Sequence, residues 1–224
     1  MNDSSAMLTL ALEFSSARRS VAVVDGDRIL AAVAAEGGRE TRPFSLIAAA
    51  LERAQVQRAA IRRLAVGLGP GSYAGIRTAI AVAQGWQLAL PVELVGVSSV
   101  ECIAAELAAT LPAGRLHVVV DAQRGEWYLA TYLVAPGRWQ EETPLAIVSA
   151  AGVAARRSGN EPVVGPLGDH PPPVTDRQIR SPDAVAVARL AASLAGPVRG
   201  EELEPIYLRT PSFVKAPPPR FTVN

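Results

Sequence analysis

The alternation of hydrophobic and polar positions changes period along the first half of the chain. Three short runs rich in apolar residues come first, at Leu8–Phe14, Ser20–Asp25 and Arg28–Ala35. Short turn segments separate them, so the pattern predicts a three-stranded antiparallel meander. The stretch from about Pro43 to Ala54 is predicted to be a helix, because proline is tolerated at the first helical position.

Strands and helices then alternate. A buried strand is predicted at Leu64–Leu68, followed by a glycine-rich bend and a helix over Ile76–Leu90. Another apolar strand follows at Val92–Val97, and Ser98 and Glu101 form a capping box that opens a third helix. The order strand, strand, strand, helix, strand, helix, strand, helix is the repeat unit of the ribonuclease-H-like and actin-like folds.

The same order begins again, in a shorter form, in the second half of the chain. Leu116–Asp121 and Trp127–Leu133 are predicted to pair as a hairpin, and a strand at Leu145–Val148 leads into a short helix. A helix near the end of this half is expected to start with Ser181 as its N-cap residue and to stop at Gly196.

These patterns predict an α/β protein with two lobes, each a mixed sheet flanked by helices, and with a shortened second lobe. We expect an N-terminal lobe over residues 1–110, a C-terminal lobe over residues 111–209 and a proline-rich tail over residues 210–224. The tail is expected to be extended or disordered, because it contains Pro211 and Pro217–Pro219.

The amino-acid composition restricts the classes of protein to which the chain can belong. Hydrophobic residues make up 49% of the chain and charged residues 19%, which favours a packed core, and a formal net charge of +1 gives no general attraction to nucleic acid. The lone cysteine, Cys102, is expected to be a small buried residue in a helix. The longest apolar stretch, residues 76–97, is interrupted by Gln84, Gln87, Pro91 and Glu93 and does not predict a membrane span. We expect a cytoplasmic chain, because no basic signal-peptide start is present.

The strongest local signal is the glycine-rich bend at residues 67–77 (GLGPGSYAGIR), between a buried strand and a helix. Glycines there allow positive φ and leave backbone amides free at a helix N-terminus, which is how proteins hold anions. Gly69, Gly71 and Ser72 are the candidate phosphate-binding residues. The alternative, a tight strand-to-helix turn, is favoured because the bend has neither the Walker A nor the GxGxxG spacing.

Acidic residues end the first strand of each half. Glu13 and Asp121 occupy positions at which actin-like ATPases hold carboxylates that organise a magnesium nucleotide. The alternative is a strand-end carboxylate that accepts hydrogen bonds from turn amides, and both remain open. The only histidines, His117 and His170, are far apart, so the sequence predicts neither a zinc or iron site nor a hydrolase triad.

Two predicted helices are apolar around most of their circumference. In Ile76–Leu90 the polar side chains Arg77, Gln84 and Gln87 form one narrow stripe, and Phe44–Ala54 is similarly apolar. Such helices are expected to be buried on two sides. One side packs on the sheet of the same lobe, and the other packs on another helix of the chain or on a partner protein. The candidate partner-binding residues are Phe44, Ile47, Ile80, Val82 and Trp86.

Several segments in the right order resemble the TsaB (YeaZ) family, which has also been described as glycoprotease-like or peptidase-M22-like. The opening hairpin is similar at residues 8–16 (LTLALEFSS) and 20–23 (SVAV). The signature block is similar at residues 67–77, continuing through residues 83–85 (AQG) and 95–101 (VGVSSVE). Similarity in the second half covers residues 121–128 (DAQRGEWY), and a weaker one covers residues 205–209 (PIYLR). These segments occur in both predicted lobes.

The resemblance implies a two-lobed actin-like fold with a degenerate nucleotide cleft and no cofactor. It also implies a non-catalytic scaffold subunit, since the family pairs with the metal-dependent TsaD transferase and, with the ATPase TsaE, supports threonylcarbamoyl transfer to the tRNA adenosine beside the anticodon. Contact with tRNA is expected only through the complex, and the isolated chain is expected to form a homodimer. The alternatives are a small ATPase- or sugar-kinase-like phosphotransferase that uses Glu13, Asp121 and residues 69–72, or a stand-alone homodimeric scaffold.

The chain departs from the family pattern at three places. The family usually has aspartate where Glu13 stands and threonine where Ala74 stands. Its His-Ser-Glu before the first long helix is replaced by Phe44-Ser45-Leu46, which is more apolar. These differences weaken the prediction of nucleotide binding.

Overall fold

A computed structural model describes residues 7–37, 42–194 and 196–209 of the chain. The predicted tail from residue 210 lies outside them. The strands are β1 Leu8–Glu13, β2 Arg19–Asp25, β3 Arg28–Ala35, β4 Arg63–Gly67, β5 Glu93–Val97, β6 Gly114–Asp121, β7 Glu126–Ala135, β8 Arg138–Ser149, β9 Val163–Gly165 and β10 Gln178–Ile179. The helices are α1 Pro43–Ala54, α2 Tyr73–Ala89, α3 Ser99–Leu107, α4 Ala150–Arg156 and α5 Ala184–Ser193, with short 3-10 turns at Arg58–Ala60 and Gly200–Glu202.

The first sheet has the strand order β3-β2-β1-β4-β5. Its first three strands form the predicted antiparallel meander, and β4 and β5 join β1 in parallel. The bounds of β3 and α1 are the predicted ones. This half of the chain therefore follows its hydrophobic pattern closely, because each turn and crossover is short and local.

The second sheet repeats the first. Its order is β10-β9-β6-β7-β8, in which β6, β7 and β8 are antiparallel and β9 and β10 join β6 in parallel. A loop replaces the helix that would correspond to α2, since β9 leads to β10 with no α-helix between them. The predicted fold class, two mixed sheets flanked by helices with a shortened second copy, is confirmed.

The two faces of the first sheet carry side chains of different size. The face under α1 and α2 presents large residues such as Leu10, Leu12 and Phe14. The opposite face presents Ala11 and Ala22 among its central residues, and α5 packs there with a buried side that is rich in alanine. Small side chains on both partners allow close approach, whereas the large ones fill the space beneath two helices.

The predicted lobe boundaries do not match the packing of two helices. Helix α5, which was assigned to the C-terminal lobe, packs on β1, β2, β4 and β5 of the first sheet. Helix α3, assigned to the N-terminal lobe, packs with Leu116 and Val118 of the second sheet. The last helix of each half thus lies between the two sheets, where α3 and α5 contact each other.

Helix caps and one strand differ from the sequence-based predictions. The N-cap residue of α5 is Asp183, whose side chain accepts from the Ala186 amide, rather than Ser181. Ser98 caps α3 as predicted, but Glu101 accepts from the indole nitrogen of Trp139 instead of completing the capping box. Strand β8 begins seven residues earlier than predicted, because it continues the hairpin with β7. Among the described residues, the helices are too short or too polar to cross a bilayer.

Candidate functional site

The glycine-rich bend lies directly against the end of β1. The Ser72 amide donates to the Ser15 carbonyl at 2.6 Å, and the Gly69 amide donates to the Ser99 hydroxyl at 3.1 Å. Ser72 is also the N-cap residue of α2, where its hydroxyl accepts from the Gly75 amide at 3.3 Å. Three of the amides that could have held a phosphate are therefore already bonded within the chain.

Two glycines allow this close approach. Gly71 has φ of 149°, and a Cβ built on it would overlap the Ser15 carbonyl oxygen. A Cβ on Gly75 would overlap the carbonyl oxygen of Phe14. The glycines of the bend permit positive φ, as the sequence indicates, but the contact with β1 is evident only in the structure. These positions need glycine because backbone meets backbone, which is the tight-turn interpretation of the motif.

Glu13 is buried and fully bonded beneath this bend. Its Oε1 accepts from the Ser15 amide at 2.7 Å, and its Oε2 accepts from the Ser99 hydroxyl at 2.7 Å. A Cβ on Gly67 would overlap the same carboxylate, so β4 also passes close to it. Burial raises the pKa of Glu13, and Asp183 raises it further, against the lowering effect of the Ser15 and Ser99 hydrogen bonds.

The raised pKa predicts a pH-dependent stability difference for Glu13→Gln. A folded-state pKa above the unfolded value means that the ionised carboxylate destabilises the fold, and this penalty disappears as the pH falls through the folded pKa toward 4.5. Wild type should therefore gain stability relative to Glu13→Gln as the pH is lowered from neutral toward 4.5, as measured by urea unfolding. Glutamine retains an acceptor for Ser15 and offers a donor to Ser99.

Glu142→Gln provides the control for this measurement. Arg115 holds the pKa of Glu142 below 4.5 through a bidentate hydrogen bond, so its contribution is constant over the same pH interval. A flat difference between wild type and Glu13→Gln would show that the pKa of Glu13 is not raised.

Asp121 ends β6 in a similar position to Glu13 at the end of β1. It accepts from the Gln123 amide at 2.7 Å, from the His170 amide at 3.0 Å and contacts His170 Nδ1 at 3.1 Å. Both carboxylates thus accept hydrogen bonds from turn amides, which is the second of the two interpretations left open by the sequence. Glu13 and Asp121 are each satisfied by their own lobe.

The other histidine is part of the second sheet. His117 is buried and contacts Thr131 Oγ1 at 3.0 Å and Glu161 Oε2 at 2.9 Å. Cys102 is also buried, and its pKa is raised well above the usual value mainly because of that burial. Within the described ranges, no three His, Cys, Asp or Glu residues are grouped so that they could hold a metal ion.

The helices α1 and α2 lie side by side over the same face of the first sheet. Helix α1 covers β2 and β3, and α2 covers β1, β4 and β5. Their outward sides form what we call the α1–α2 surface. Its exposed members are Phe44, Ser45, Ala48, Glu52 and Arg53 of α1 and Tyr73, Ala74, Arg77, Ala81, Gly85, Leu88 and Ala89 of α2.

The structure separates the five candidate partner-binding residues. Phe44 is 71% exposed and lies on the α1–α2 surface. Ile47 and Ile80 are 2% and 6% exposed and belong to the core, so the prediction that they contact a partner is wrong. Val82 and Trp86 are partly buried against that core. The hydrophobic pattern missed Leu88, which is 91% exposed.

The polar stripe of α2 faces a C-terminal segment of the chain. Gln84 donates to the Gly200 carbonyl at 2.8 Å, and Gln87 accepts from the Gly200 amide at 2.9 Å. We call residues 198–209 the C-terminal strap. It begins at a bridge between Val198 and Leu94, beside β5.

The strap then joins the two halves of the fold. The Ile206 amide donates to the Leu68 carbonyl at 2.9 Å, next to the glycine-rich bend. Arg209 donates to Glu126 at 2.7 Å and to the Ala122 carbonyl at 3.1 Å, in the β6–β7 turn. The sequence shows the polar stripe of α2 and the segment at residues 205–209 as separate features, and only the fold brings them into contact.

Comparisons with known proteins agree with this architecture. Residues 40–192 match the family model described as TsaD, tRNA N6-adenosine threonylcarbamoyltransferase. The chain is 32% identical over 164 residues to the tRNA threonylcarbamoyladenosine biosynthesis protein TsaB of Escherichia coli, which covers 66% of this chain and 71% of that protein. An uncharacterised Mycobacterium tuberculosis protein is 34% identical over 115 residues, about half of each chain.

Solved structures give the same result over a larger part of the chain. A Pseudomonas aeruginosa protein described as similar to the peptidase YeaZ superposes with a TM-score of 0.75 at 26% identity, covering 91% of this chain and all of its own. A second structure, YeaZ from the same organism, has a TM-score of 0.73 at 25% identity and covers 90% of this chain. Since the family model matches more than half of the residues and the TsaB similarity extends across both sheets, the chain belongs to the TsaB/YeaZ type of the TsaD family.

Proposed function

We propose that the chain is a non-catalytic cytoplasmic subunit of tRNA threonylcarbamoyladenosine biosynthesis, which pairs with a TsaD-like transferase through the α1–α2 surface. The observation that carries this proposal is the exposure of that surface. Leu88 and Phe44 are the most exposed large hydrophobic side chains of the described residues, and both lie on it. Large apolar side chains left exposed on neighbouring helices are consistent with a protein interface.

The small side chains exposed on α2 also favour packing of another helix against this surface. Ala74, Ala81 and Gly85 lie on the exposed side of α2, where small side chains allow the backbone of a second helix to approach closely. Two helices on each side would make a four-helix interface. Without the transferase, a second copy of the chain is expected to occupy the same surface, so the homodimer and the heterodimer should compete.

A scaffold role is supported by the hydrogen bonding of the residues that could have bound a nucleotide. Glu13, Asp121 and three amides of the glycine-rich bend, those of Gly69, Ser72 and Gly75, form hydrogen bonds within the chain. A phosphotransferase would need the same groups to bind phosphate and metal. Because these groups are hydrogen-bonded within the chain, they give the phosphotransferase alternative little support. A TsaE-like ATPase and contact with tRNA through the complex complete the proposal, and both are supported by family membership alone.

The test is reconstitution with the TsaD-like transferase and TsaE-like ATPase of the same organism. The pure chain should modify no tRNA and cleave no peptide, whereas leaving it out of the full mixture should abolish or strongly reduce formation of the modified adenosine. Modified nucleoside is measured by mass spectrometry after tRNA digestion. Metal-dependent turnover of tRNA or peptide by the pure chain, or full activity in its absence, would contradict the proposal.

A further inference from the structure

A rigid arginine lies at the edge of the α1–α2 surface. Arg77 of α2 donates from Nε to the Tyr207 hydroxyl of the C-terminal strap at 2.8 Å. Its guanidinium carbon is 4.2 Å from the centre of the Tyr73 ring and 5.8 Å from that of Tyr207, and the two ring centres are 5.9 Å apart. One hydrogen bond and two ring contacts therefore fix the orientation of the guanidinium plane.

This cluster is open to solvent on its outer side. Tyr73 is 58% exposed and Tyr207 is 47% exposed, and Arg77 is exposed as well. Within residues 7–37, 42–194 and 196–209, the two terminal nitrogens of Arg77 have no hydrogen-bond or ion-pair partner. An arginine that is already ordered loses less conformational entropy when it binds, and Arg and Tyr are the residues enriched at energetic centres of protein interfaces.

The surroundings of Arg77 indicate which anion it would bind. It is the only charged residue in α2, and the exposed positions that follow it on the helix are Ala81, Gly85, Leu88 and Ala89. Binding of a nucleic-acid backbone depends on several cations that neutralise successive phosphates, and α2 supplies only this one in a chain whose formal net charge is +1. A single cation beside an apolar helix face instead fits one carboxylate on a protein partner, which the two terminal nitrogens can hold in a bidentate pair.

We propose that Arg77, oriented by Tyr73 and Tyr207, binds an Asp or Glu carboxylate of the TsaD-like transferase when that subunit covers the α1–α2 surface. The inference rests on the proposed function and adds to it the polar contact that sets orientation and specificity. It also gives the C-terminal strap a role in recognition. The strap supplies Tyr207 and is held on α2 by the hydrogen bonds of Gln84 and Gln87 with Gly200.

Affinity for the TsaD-like transferase tests this assignment directly. Arg77→Ala should weaken binding by roughly 30-fold or more, because it leaves the partner carboxylate buried without its charge partner. Arg77→Lys should retain part of the affinity, since lysine keeps the charge but not the bidentate geometry. Tyr207→Phe, which removes only the hydroxyl that accepts from Nε, should weaken binding by several fold. Arg138→Ala, at an exposed arginine of the second sheet, is the control and should bind like wild type.

A charge-swap experiment distinguishes a direct contact from a structural effect. Arg77→Glu should abolish binding, and one Asp→Arg or Glu→Arg substitution among the acidic surface residues of the transferase should restore it. If wild type binds the transferase but Arg77→Ala and Tyr207→Phe bind equally well, the inference is overturned and the proposed function stands. If wild type itself fails to bind, the proposed function fails. A loss of tRNA binding by the isolated Arg77→Ala chain, with transferase affinity unchanged, would assign the cluster to nucleic acid and overturn the carboxylate assignment.

Discussion

Replacing Gly75 by alanine is expected to destabilise the fold by about 2 kcal/mol or more, although alanine is the better helix former. The added methyl group would overlap the carbonyl oxygen of Phe14 at the end of β1. Overpacking typically costs about 1–3 kcal/mol, and an obstacle made of sheet backbone belongs at the upper end of that range. The gain in helix propensity offsets at most about 1 kcal/mol of this cost. Urea unfolding of wild type and Gly75→Ala measures the difference in the free energy of unfolding.

Gly85 gives the matched control within the same helix. It is exposed, and a Cβ built on it meets no other atom within 4 Å. In the monomeric chain, at protein concentrations too low for a dimer, Gly85→Ala should therefore stabilise the fold by about 0.5–1 kcal/mol through backbone entropy. The same substitution ten residues apart thus has opposite signs. If Gly75→Ala were as stable as wild type, α2 would not lie against β1 in the way described here.

Gly71→Val should be destabilising for two reasons at once. Its φ of 149° is strained for a residue with a side chain, and a Cβ would overlap the Ser15 carbonyl oxygen. Strain of this kind costs about 1–3 kcal/mol before the overlap is counted. An unchanged melting temperature together with intact transferase binding would show that the bend is neither strained nor used.

Glutamate substitutions on α1 and α2 are expected to divide into two groups. Ile47→Glu and Ile80→Glu place a carboxylate in the core and should unfold the chain, because burying an unpaired charge costs several kcal/mol of a total stability of about 5–15 kcal/mol. Phe44→Glu and Leu88→Glu alter exposed positions and should leave the free energy of unfolding of the monomer, measured at low protein concentration, within about 0.5–1 kcal/mol of wild type. Circular dichroism and urea unfolding separate the groups.

The exposed variants then test the interface. Each introduces a carboxylate that would be unpaired once the α1–α2 surface is covered, so the dissociation constant for the transferase should rise by roughly 100-fold or more. Light scattering should show that the same variants are monomeric where wild type is dimeric. Leu167→Glu, at a 63% exposed leucine in the second half, is the control and should behave like wild type. If Phe44→Glu and Leu88→Glu remained dimeric and competent to bind the transferase, the interface would lie elsewhere.

The sequence by itself determined the features that depend on neighbouring residues. The meander, the bounds of β3 and α1, and the strand-to-helix bend at residues 67–75 follow from short apolar runs and local turn chemistry. The positive φ of Gly71 belongs to the same class, since it is a property of one tight turn. The repeated element order predicted two similar lobes for the same reason.

Only the tertiary structure decided which side of an apolar helix is buried. Helix α2 is hydrophobic around most of its circumference, so its composition does not indicate that Ile80 faces the sheet while Leu88 faces solvent. Contacts between distant residues were equally inaccessible. The bond between Ser99 and Glu13 joins residues 86 positions apart, and the bond between Arg77 and Tyr207 joins residues 130 apart.

Sheet membership was decided in the same way. Helix α5 follows a strand of the second sheet but packs on the first, because the small side chains of that sheet face accept an alanine-rich helix. The C-terminal strap binds α2 because Gln84 and Gln87 meet the backbone of Gly200 there. A hydrophobic pattern indicates which residues favour burial. Only the tertiary fold determines which distant part of the chain buries each of them.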